Sequence, residues 1–206
     1  MVKEGYWYGL PLVLLSGGLA GFGLYGLSAF FLVLALLVLN FFRDPERQIP
    51  ADPQAVVSPA DGRVVEIKIL DDRPGRRLSI FMSPLDVHVN RSPIAGTLKD
   101  VAYRKGSFRM AMQPRASLEN EQNVFVIQGE QGEIEVRQIA GILARRIVFW
   151  KSPGDHLARG ERVGMIKFGS RVDVVLGPQV ELRVKVGDRV RAGSSILGIF
   201  GDKPAS

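Results

Sequence analysis

Gly169 and Ser170 form the pair of residues with the clearest potential for chemistry in this sequence. They lie between two strand-like runs, in the stretch MIKFGSRVDVVL of residues 165–176. Because glycine adopts conformations that are closed to other residues, a hydroxyl beside a strained glycine peptide can attack the preceding carbonyl. Attack by Ser170 would give an ester, elimination would then give a dehydroalanine, and hydrolysis would leave a pyruvoyl group. The pair is weak evidence by itself, since the same dipeptide occurs twice more in the chain.

Few other side chains are available to assist such a reaction. The chain has no cysteine, which excludes disulfides, thiolate zinc sites and a cysteine nucleophile, and it has two histidines, His88 and His156. Two histidines cannot build a three-histidine metal centre, which argues against transition-metal chemistry and leaves carboxylate-bound magnesium as the alternative. We predict no metal site. The two histidines and Asp61, which precedes a glycine, also have purely structural interpretations. These are an Asp-Gly turn for Asp61, a hydrogen-bonded histidine between strands for His88 and a surface turn for His156.

Residues 1–42 form a strongly apolar segment, because no charged side chain occurs between Gly5 and Phe42. Glycines interrupt the middle of this run and favour a helical hairpin, which we prefer to a single membrane-spanning helix. Basic residues at both ends would place those ends on the cytoplasmic side of a membrane. The alternative is a buried hairpin in the core of a soluble protein.

The rest of the chain divides into a linker and a domain. Residues 43–54 contain three prolines and mixed charge, which indicates a linker, and residues 55–206 form the folded domain. Short β-branched runs separated by Gly and Pro turns predict a mainly β fold, a small barrel or sandwich. The formal net charge of +6 favours an anionic lipid surface over nucleic acid as partner, given the apolar segment.

Internal similarity supports the prediction of a small barrel. Residues 184–200 and 151–166 repeat one phrase, with a Gly-Asp turn followed by a second glycine turn, and residues 58–67 could open a further unit. The phrase looks like half of the hammerhead barrel found in biotinyl and lipoyl domains. We therefore expect hammerhead pseudo-repeats in the fold.

Four separated motifs, in order, carry a more specific resemblance. They are SPADGRV, FMSPLDVHVNRSP, ASLENEQN and GERVGMIKFGSRVD, and the resemblance that they carry covers residues 43 to about 186, with the apolar leader in the expected place. This arrangement resembles the short, archaeal-like form of the phosphatidylserine decarboxylase family. The resemblance implies a proenzyme that cuts itself between Gly169 and Ser170 and uses a pyruvoyl cofactor derived from Ser170. Its two fragments, residues 1–169 and 170–206, would remain together as a heterodimer.

The resemblance also assigns site residues. The PADG aspartate falls on Asp61 and the histidine of the SPxDxH motif falls on His88, which are implied to be catalytic together with Ser170. Long, bacterial-type members carry a second histidine three positions after the first, where this chain has Arg91. Either His88 serves both maturation and decarboxylation, or Asp61 acts on Ser170 more directly.

The segment from Arg104 to Asn123 resembles the loop with which the family contacts lipid. It contains the cations and amides that a phosphate requires, and the alternative is a solvated loop. The residues expected to bind substrate are Arg104, Lys105, Arg109, Asn120 and Glu121.

The resemblance thus implies a lyase that converts phosphatidylserine to phosphatidylethanolamine and CO2 on the cytoplasmic face of the cell membrane, with higher oligomers possible. One alternative is the same headgroup chemistry on archaetidylserine. A second alternative is a non-catalytic, membrane-anchored adaptor built on the hammerhead repeats. The two classes differ at Ser170, because only the enzyme requires a hydroxyl and a chain break there.

Overall fold

The computed structural model describes residues 1–106, 120–141, 146–167 and 170–201. The chain divides into two compact units, Met1–Glu46 and Arg47–Ser206. The first unit is helical and the second is built from strands, so the predicted fold class, mainly β with an N-terminal helical segment, is confirmed.

The N-terminal unit is an antiparallel pair of helices, α1 (Lys3–Gly21) and α2 (Tyr25–Phe41). The helices approach closely where Gly9 faces Leu39, since a Cβ on Gly9 would lie 2.4 Å from a Leu39 methyl group. Many large apolar side chains of this unit are exposed, which is unusual for a surface in contact with water alone. Within the described residues, no helix combines the length and the apolar character that crossing a membrane requires.

The described part of the second unit contains fourteen strands, most of them short. Their bounds are β1 (Ala55–Val57), β2 (Gly62–Ile69), β3 (Arg76–Met82), β4 (Val89–Arg91), β5 (Gly96–Arg104), β6 (Gln122–Gln128), β7 (Glu133–Ile139), β8 (Ile147–Phe149), β9 (His156–Leu157), β10 (Arg162–Ile166), β11 (Ser170–Leu176), β12 (Val180–Leu182), β13 (Arg189–Val190) and β14 (Ile196–Phe200).

The main sheet is antiparallel and has the strand order β13-β2-β3-β11-β7-β6-β5-β9. It curls around one hydrophobic core, because alternate residues of its central strands are apolar and buried, as Val172 and Val174 are on β11. Two three-stranded sheets, β1-β14-β12 and β4-β10-β8, complete the unit. The register therefore places the ends of β3 and β7 beside the beginnings of β11 and β6. We call this side of the sheet, where these strands begin or end, the sheet edge.

The internal repeat seen in the sequence corresponds to two turns with the same hydrogen bonds. The Gly154 amide donates to the Leu98 carbonyl at 2.7 Å, and the Gly187 amide donates to the Val64 carbonyl at 2.8 Å. Both glycines have φ near +95°, a conformation that favours glycine over other residues. The aspartate that follows each glycine caps its own turn by accepting from a backbone amide at 2.9 Å.

The second glycine turn of each repeat is bound to a Ser-Pro turn elsewhere in the chain. The Gly193 amide donates to the Ser58 carbonyl and the Gly160 amide to the Ser92 carbonyl, both at 2.8 Å. Both serine hydroxyls donate to the carbonyl two residues ahead. The segments SPADG (58–62) and SPIAG (92–96) are thus structural counterparts, and Ala95 occupies the place that Asp61 has in the first copy.

Candidate active site

Ser170 is the first residue of β11 and is fully buried on the core side of the sheet. Its Oγ donates to the sulfur of Met82, its cross-strand partner on β3, at 3.3 Å. A thioether sulfur is a weak acceptor, so this contact holds the hydroxyl without tying it to a strong partner. Gly169 and Arg109, two of the residues singled out by sequence, lie outside the described residues.

The strand that Ser170 opens is central in the sheet. Strand β11 pairs with β3 from Ser170 to Leu176 and with β7 from Arg171 to Val175. Because both neighbours lie earlier in the chain, the hydrogen bonds of β11 do not depend on a peptide bond before Ser170. A cut at that bond would therefore leave the C-terminal fragment held in place.

Asp61 lies in the Ser-Pro turn between β1 and β2, and its carboxylate has defined partners. Arg47 Nη2 donates to both carboxylate oxygens at 3.0 Å, and the Ala192 amide donates to one of them at 2.8 Å. Both side chains of the ion pair are nearly buried. The following Gly62 is required sterically, since a Cβ there would lie 2.1 Å from the Phe81 carbonyl oxygen.

His88 is fully buried in the loop that leads into β4. Its Nδ1 lies 2.9 Å from the Asp86 carbonyl oxygen, and because a carbonyl only accepts, Nδ1 carries the hydrogen and Nε2 is the basic nitrogen of the neutral ring. The His88 carbonyl accepts from the Ile166 amide at 3.3 Å. That bond ties the histidine to the end of β10, four residues before Ser170.

Two of the predicted catalytic residues, Asp61 and Ser170, lie beside the end of β3, while His88 follows β3 in the chain. Gly62 begins β2 on one side of β3 and Ser170 begins β11 on the other, so their backbones are about two strand spacings, roughly 10 Å, apart. A cavity of about 480 Å³ is lined by Asp61 and by Asp86, two residues before His88, whereas His88 and Ser170 are not among its lining residues. The observed partners of the Asp61 carboxylate are Arg47 and the Ala192 amide.

The predicted substrate-binding residues that the structure describes lie along the same sheet edge. Asn120 and Glu121 immediately precede β6, whereas Arg104 and Lys105 are exposed at the end of β5. The Asn120 amide group donates to the Ala140 carbonyl at 2.7 Å, which fixes this corner of the sheet. Their position at the edge occupied by Ser170 is consistent with a headgroup site.

Glu121 is paired with a tyrosine in this region. Partial burial, together with the hydrogen bond to Glu121, raises the pKa of Tyr103 to about 12. The tyrosine hydroxyl is therefore a neutral donor at physiological pH, and it donates to the Glu121 carboxylate just before β6.

The two positions that sequence comparison left without a role have structural contacts. One guanidinium nitrogen of the nearly buried Arg91 donates to the Gly160 carbonyl at 3.0 Å. His156 is exposed, and its Nδ1 lies 3.1 Å from the Thr97 hydroxyl in a separate cavity of about 600 Å³. Within the described residues, no group of three histidine, aspartate or glutamate side chains could hold a metal ion.

Sequence reasoning missed three buried amide side chains near Ser170: Asn90, Asn123 and Gln138, which are hydrogen-bonded in series. A signal for two of them exists in the sequence. Core-facing positions of β6 and β7 are apolar at Phe125 and Val136, and the alternation is broken at Asn123 and Gln138.

Sequence reasoning also missed an ionic cluster on the opposite face of the sheet. Arg171, the residue after Ser170, donates to Asp173 at 2.6 Å, to Ser79 at 2.6 Å and to Glu66 at 3.1 Å. Burial acts to raise the pKa of Glu66, but hydrogen bonds and attraction from Arg77 and Arg171 outweigh burial and leave the pKa below its usual value. The cluster joins the beginning of β11 to β3 and β2.

Comparisons with known proteins identify the family of this chain. The model of the phosphatidylserine decarboxylase family matches residues 34–198. A phosphatidylserine decarboxylase proenzyme of Solibacter usitatus is 50% identical over 200 residues, which cover 96% of this chain and 95% of the relative. Proenzymes of the same name from Nitrosomonas eutropha and Geotalea uraniireducens are each 48% identical, covering 82% and 84% of this chain and 80% and 84% of the relatives. The chain therefore belongs to the phosphatidylserine decarboxylase family of enzymes.

Proposed function

We propose that this protein cuts itself between Gly169 and Ser170, converts Ser170 to a pyruvoyl group and then decarboxylates phosphatidylserine to phosphatidylethanolamine. The observation that carries the proposal is the position of Ser170. It is buried at the first residue of a strand that stays paired without the preceding peptide bond. The relatives are named as proenzymes, which is consistent with maturation by cleavage.

Maturation can be written as balanced steps at Ser170. Its Oγ bonds to the Gly169 carbonyl carbon, the C–N bond breaks, and the hydroxyl proton moves to the released nitrogen. A base then removes the Cα hydrogen of residue 170, the Cβ–Oγ bond breaks, and fragment 1–169 leaves with a carboxylate. This elimination leaves a dehydroalanine at the new terminus, which tautomerises to an imine. One water hydrolyses the imine with loss of ammonia, and the new chain begins with a pyruvoyl group.

Ser170 fits the role of precursor for such a group. Its side chain points into the core side of the sheet, next to a sulfur atom and away from bulk water. The pyruvoyl group would supply the electron sink that removal of CO2 from an amino acid requires and that ordinary side chains lack.

His88 is our candidate for proton transfer. Hydrogen bonding of Nδ1 to the Asp86 carbonyl leaves Nε2 as the basic position of the ring, which can accept and return a proton. Asp61 is the candidate for maturation. Its carboxylate is held rigidly by Arg47, which favours a supporting electrostatic role at the site.

We propose that the substrate headgroup lies at the sheet edge shared by Ser170, Asn120 and Glu121, with Arg104 and Lys105 able to meet its phosphate. The relatives are named for phosphatidylserine, which favours this lipid over archaetidylserine. Membership of an enzyme family argues against the adaptor alternative.

Localisation at the cytoplasmic face of the cell membrane is part of the proposal. The helical unit exposes large apolar side chains, among them Trp7, Phe22 and Tyr25. Such side chains are stable in the acyl region or at the headgroup interface of a bilayer. A membrane-bound enzyme also meets a lipid substrate where that substrate is concentrated.

Intact mass spectrometry of the purified protein tests the proposed function. The wild-type chain should give fragments 1–169 and 170–206, with the second fragment blocked at its N-terminus. Ser170→Ala should remain a single chain without decarboxylase activity, while Ser194→Ala, at another Gly-Ser pair, should still be cut. A wild-type protein that is fully active and uncut would contradict the proposal.

A further inference from the structure

Three amide side chains form a hydrogen-bonded series through the core near Ser170, which we call the amide chain. Asn123 Nδ2 donates to Gln138 Oε1 at 2.9 Å, and Gln138 Nε2 donates to Asn90 Oδ1 at 2.9 Å. All three residues are buried, with at most 2% of their surface exposed. They come from β6, β7 and β4, so tertiary structure alone brings them together.

The amide chain has a direction. Gln138 accepts from Asn123 and donates to Asn90, so the Asn90 amide cannot be turned around without placing two donors against each other. The chain ends at Asn90 Nδ2, whose neighbours are the Pro59 carbonyl at 3.4 Å and the Met82 sulfur at 3.8 Å. Both contacts are long or weak. The Asn90 amide is therefore oriented by its bond from Gln138, while its own Nδ2 donor makes weak contacts.

The end of the amide chain lies at the proposed reaction centre. The Met82 sulfur that faces Asn90 Nδ2 is the same atom that accepts from Ser170 Oγ. The other neighbour of Asn90, Pro59, belongs to the turn that carries Asp61. A fixed amide donor therefore lies between the Asp61 turn and the reacting serine.

Simple packing does not account for three amides in this layer. The adjacent core-facing residues of the same strands, Phe125 and Val136, are apolar, and burying amides is costly unless each is hydrogen-bonded. A donor fixed in a dry site lowers a reaction barrier when it faces developing negative charge, because the site needs no reorganisation.

We propose that the amide chain orients Asn90 as a hydrogen-bond donor to the negative charge that develops in the reactions at residue 170. Gln138 and Asn123 are positioning residues, since they act through Asn90. The inference rests on the proposed function and assigns to that site a donor set that is separate from His88 and Asp61.

Isosteric substitutions test the proposal in the full-length chain. The rate of self-cleavage is followed on a gel after cell-free synthesis, below the unfolding temperature of every variant. Asn90→Asp, which replaces the donor by an acceptor, should slow cleavage by about 100-fold. Asn123→Asp, at the end of the amide chain away from Asn90, should slow it by about tenfold, because each amide must turn in response. Gln138→Met, which breaks the chain, should have an effect between these two.

Val136→Ala is the matched control, because it removes buried side-chain volume on β7 two residues from Gln138 without altering an amide. At an equal loss of thermal stability, it should cleave at the wild-type rate. A second measurement uses the cut fraction of each variant, normalised to its pyruvoyl content. In this decarboxylation assay, kcat should fall in the amide variants while KM stays unchanged, because the amide chain is buried beneath the site.

Wild-type cleavage rates in both Asn123→Asp and Gln138→Met would overturn the inference. Equal slowing in Val136→Ala would overturn it as well, by showing that loss of packing is sufficient. Either result leaves the proposed function standing if the wild-type protein is cut. Absence of cutting in the wild-type protein would instead contradict the proposed function and, with it, this inference.

Discussion

At the scale of single residues, the proposed nucleophile makes a weak contact, whereas the two residues proposed to assist it have well-defined hydrogen bonds. Ser170 Oγ contacts a sulfur atom, whereas Asp61 accepts three hydrogen bonds from Arg47 and Ala192. His88 has its tautomer set by the Asp86 carbonyl. Such an arrangement keeps the serine available for reaction while the groups around it are preorganised.

His88 and Asp61 are expected to differ in the step that each supports. His88→Ala should still be cut, at least slowly, but should turn over lipid about 100- to 10,000-fold more slowly, as expected for loss of a general acid or base. Asp61→Asn should remain largely uncut, because the substitution removes the negative charge that pairs with Arg47. One gel and one lipid assay measure both outcomes. Complete loss of cutting in His88→Ala would show that His88 serves both steps.

At the scale of elements, the central position of β11 would allow the fold to tolerate the proposed chain break. Its backbone is paired on both sides, and Arg171 adds side-chain bonds to the neighbouring strands at the point where the new terminus would form. Fraying at that end would move residue 170 away from the site. The ionic cluster therefore acts as an anchor for the beginning of the strand.

Arg171→Leu should test this anchor in the Ser170→Ala background, where every variant is one chain. It leaves the buried carboxylate of Asp173 with fewer donors and should lower the free energy of unfolding by about 3 kcal/mol. Arg183→Leu is the control, because Arg183 and Glu181 form an exposed pair that should contribute less than about 1 kcal/mol. Urea denaturation measures both, and similar values would contradict the anchor.

Glu135, on the outer face of β7, is expected to make the stability of the protein depend on pH. Burial acts to raise its pKa, but hydrogen bonds from Arg73 and Arg137 outweigh burial and leave the pKa below the ordinary value of 4.5. A lowered folded-state pKa stabilises the protein above pH 4.5, and this contribution disappears as pH falls through the folded-state pKa. Glu135→Gln should thus destabilise by about 1 to 2 kcal/mol at pH 7 and progressively less below pH 4.5. Thermal unfolding against pH measures the difference, and a constant difference would contradict it.

At the scale of the whole molecule, the chain consists of a helical unit and a β unit, and the candidate site lies within the second. Each predicted catalytic residue that the structure describes, and the Arg47 partner of Asp61, belongs to residues 47–206. The helical unit is therefore expected to serve attachment to the membrane rather than catalysis.

Deletion of residues 1–46 should yield a protein that folds, cuts itself and no longer binds phospholipid vesicles in a sedimentation assay. The boundary is sharp, because Arg47 must remain to pair with Asp61. The same truncated chain with Arg47→Gln should be cut more slowly, while Arg43→Gln in the full-length chain should be cut normally. Failure of the truncated chain to fold would show that the β unit depends on the helical one.

The sequence by itself determined the features that depend on local chemistry. Alternating apolar residues and Gly or Pro turns indicated a mainly β fold, and the repeated Gly-Asp phrase indicated the pseudo-repeat now seen as matched hydrogen bonds. Short motifs, each contained in one stretch of the chain, identified the family and pointed to Ser170, His88 and Asp61. A turn or an alternation is set by neighbouring residues, so it can be recognised in one segment at a time.

Only the tertiary structure decided which of these groups touch. The contact of Ser170 with Met82, the pair of Arg47 with Asp61 and the amide chain all join residues that are far apart in the sequence. Each contact depends on strand order and register, and a shift of one residue would turn the side chains of a strand to the opposite face. Register is fixed by packing of the whole core, which no single segment contains, and so the hydrogen-bond partners of Ser170 could not be deduced from its neighbours in the chain.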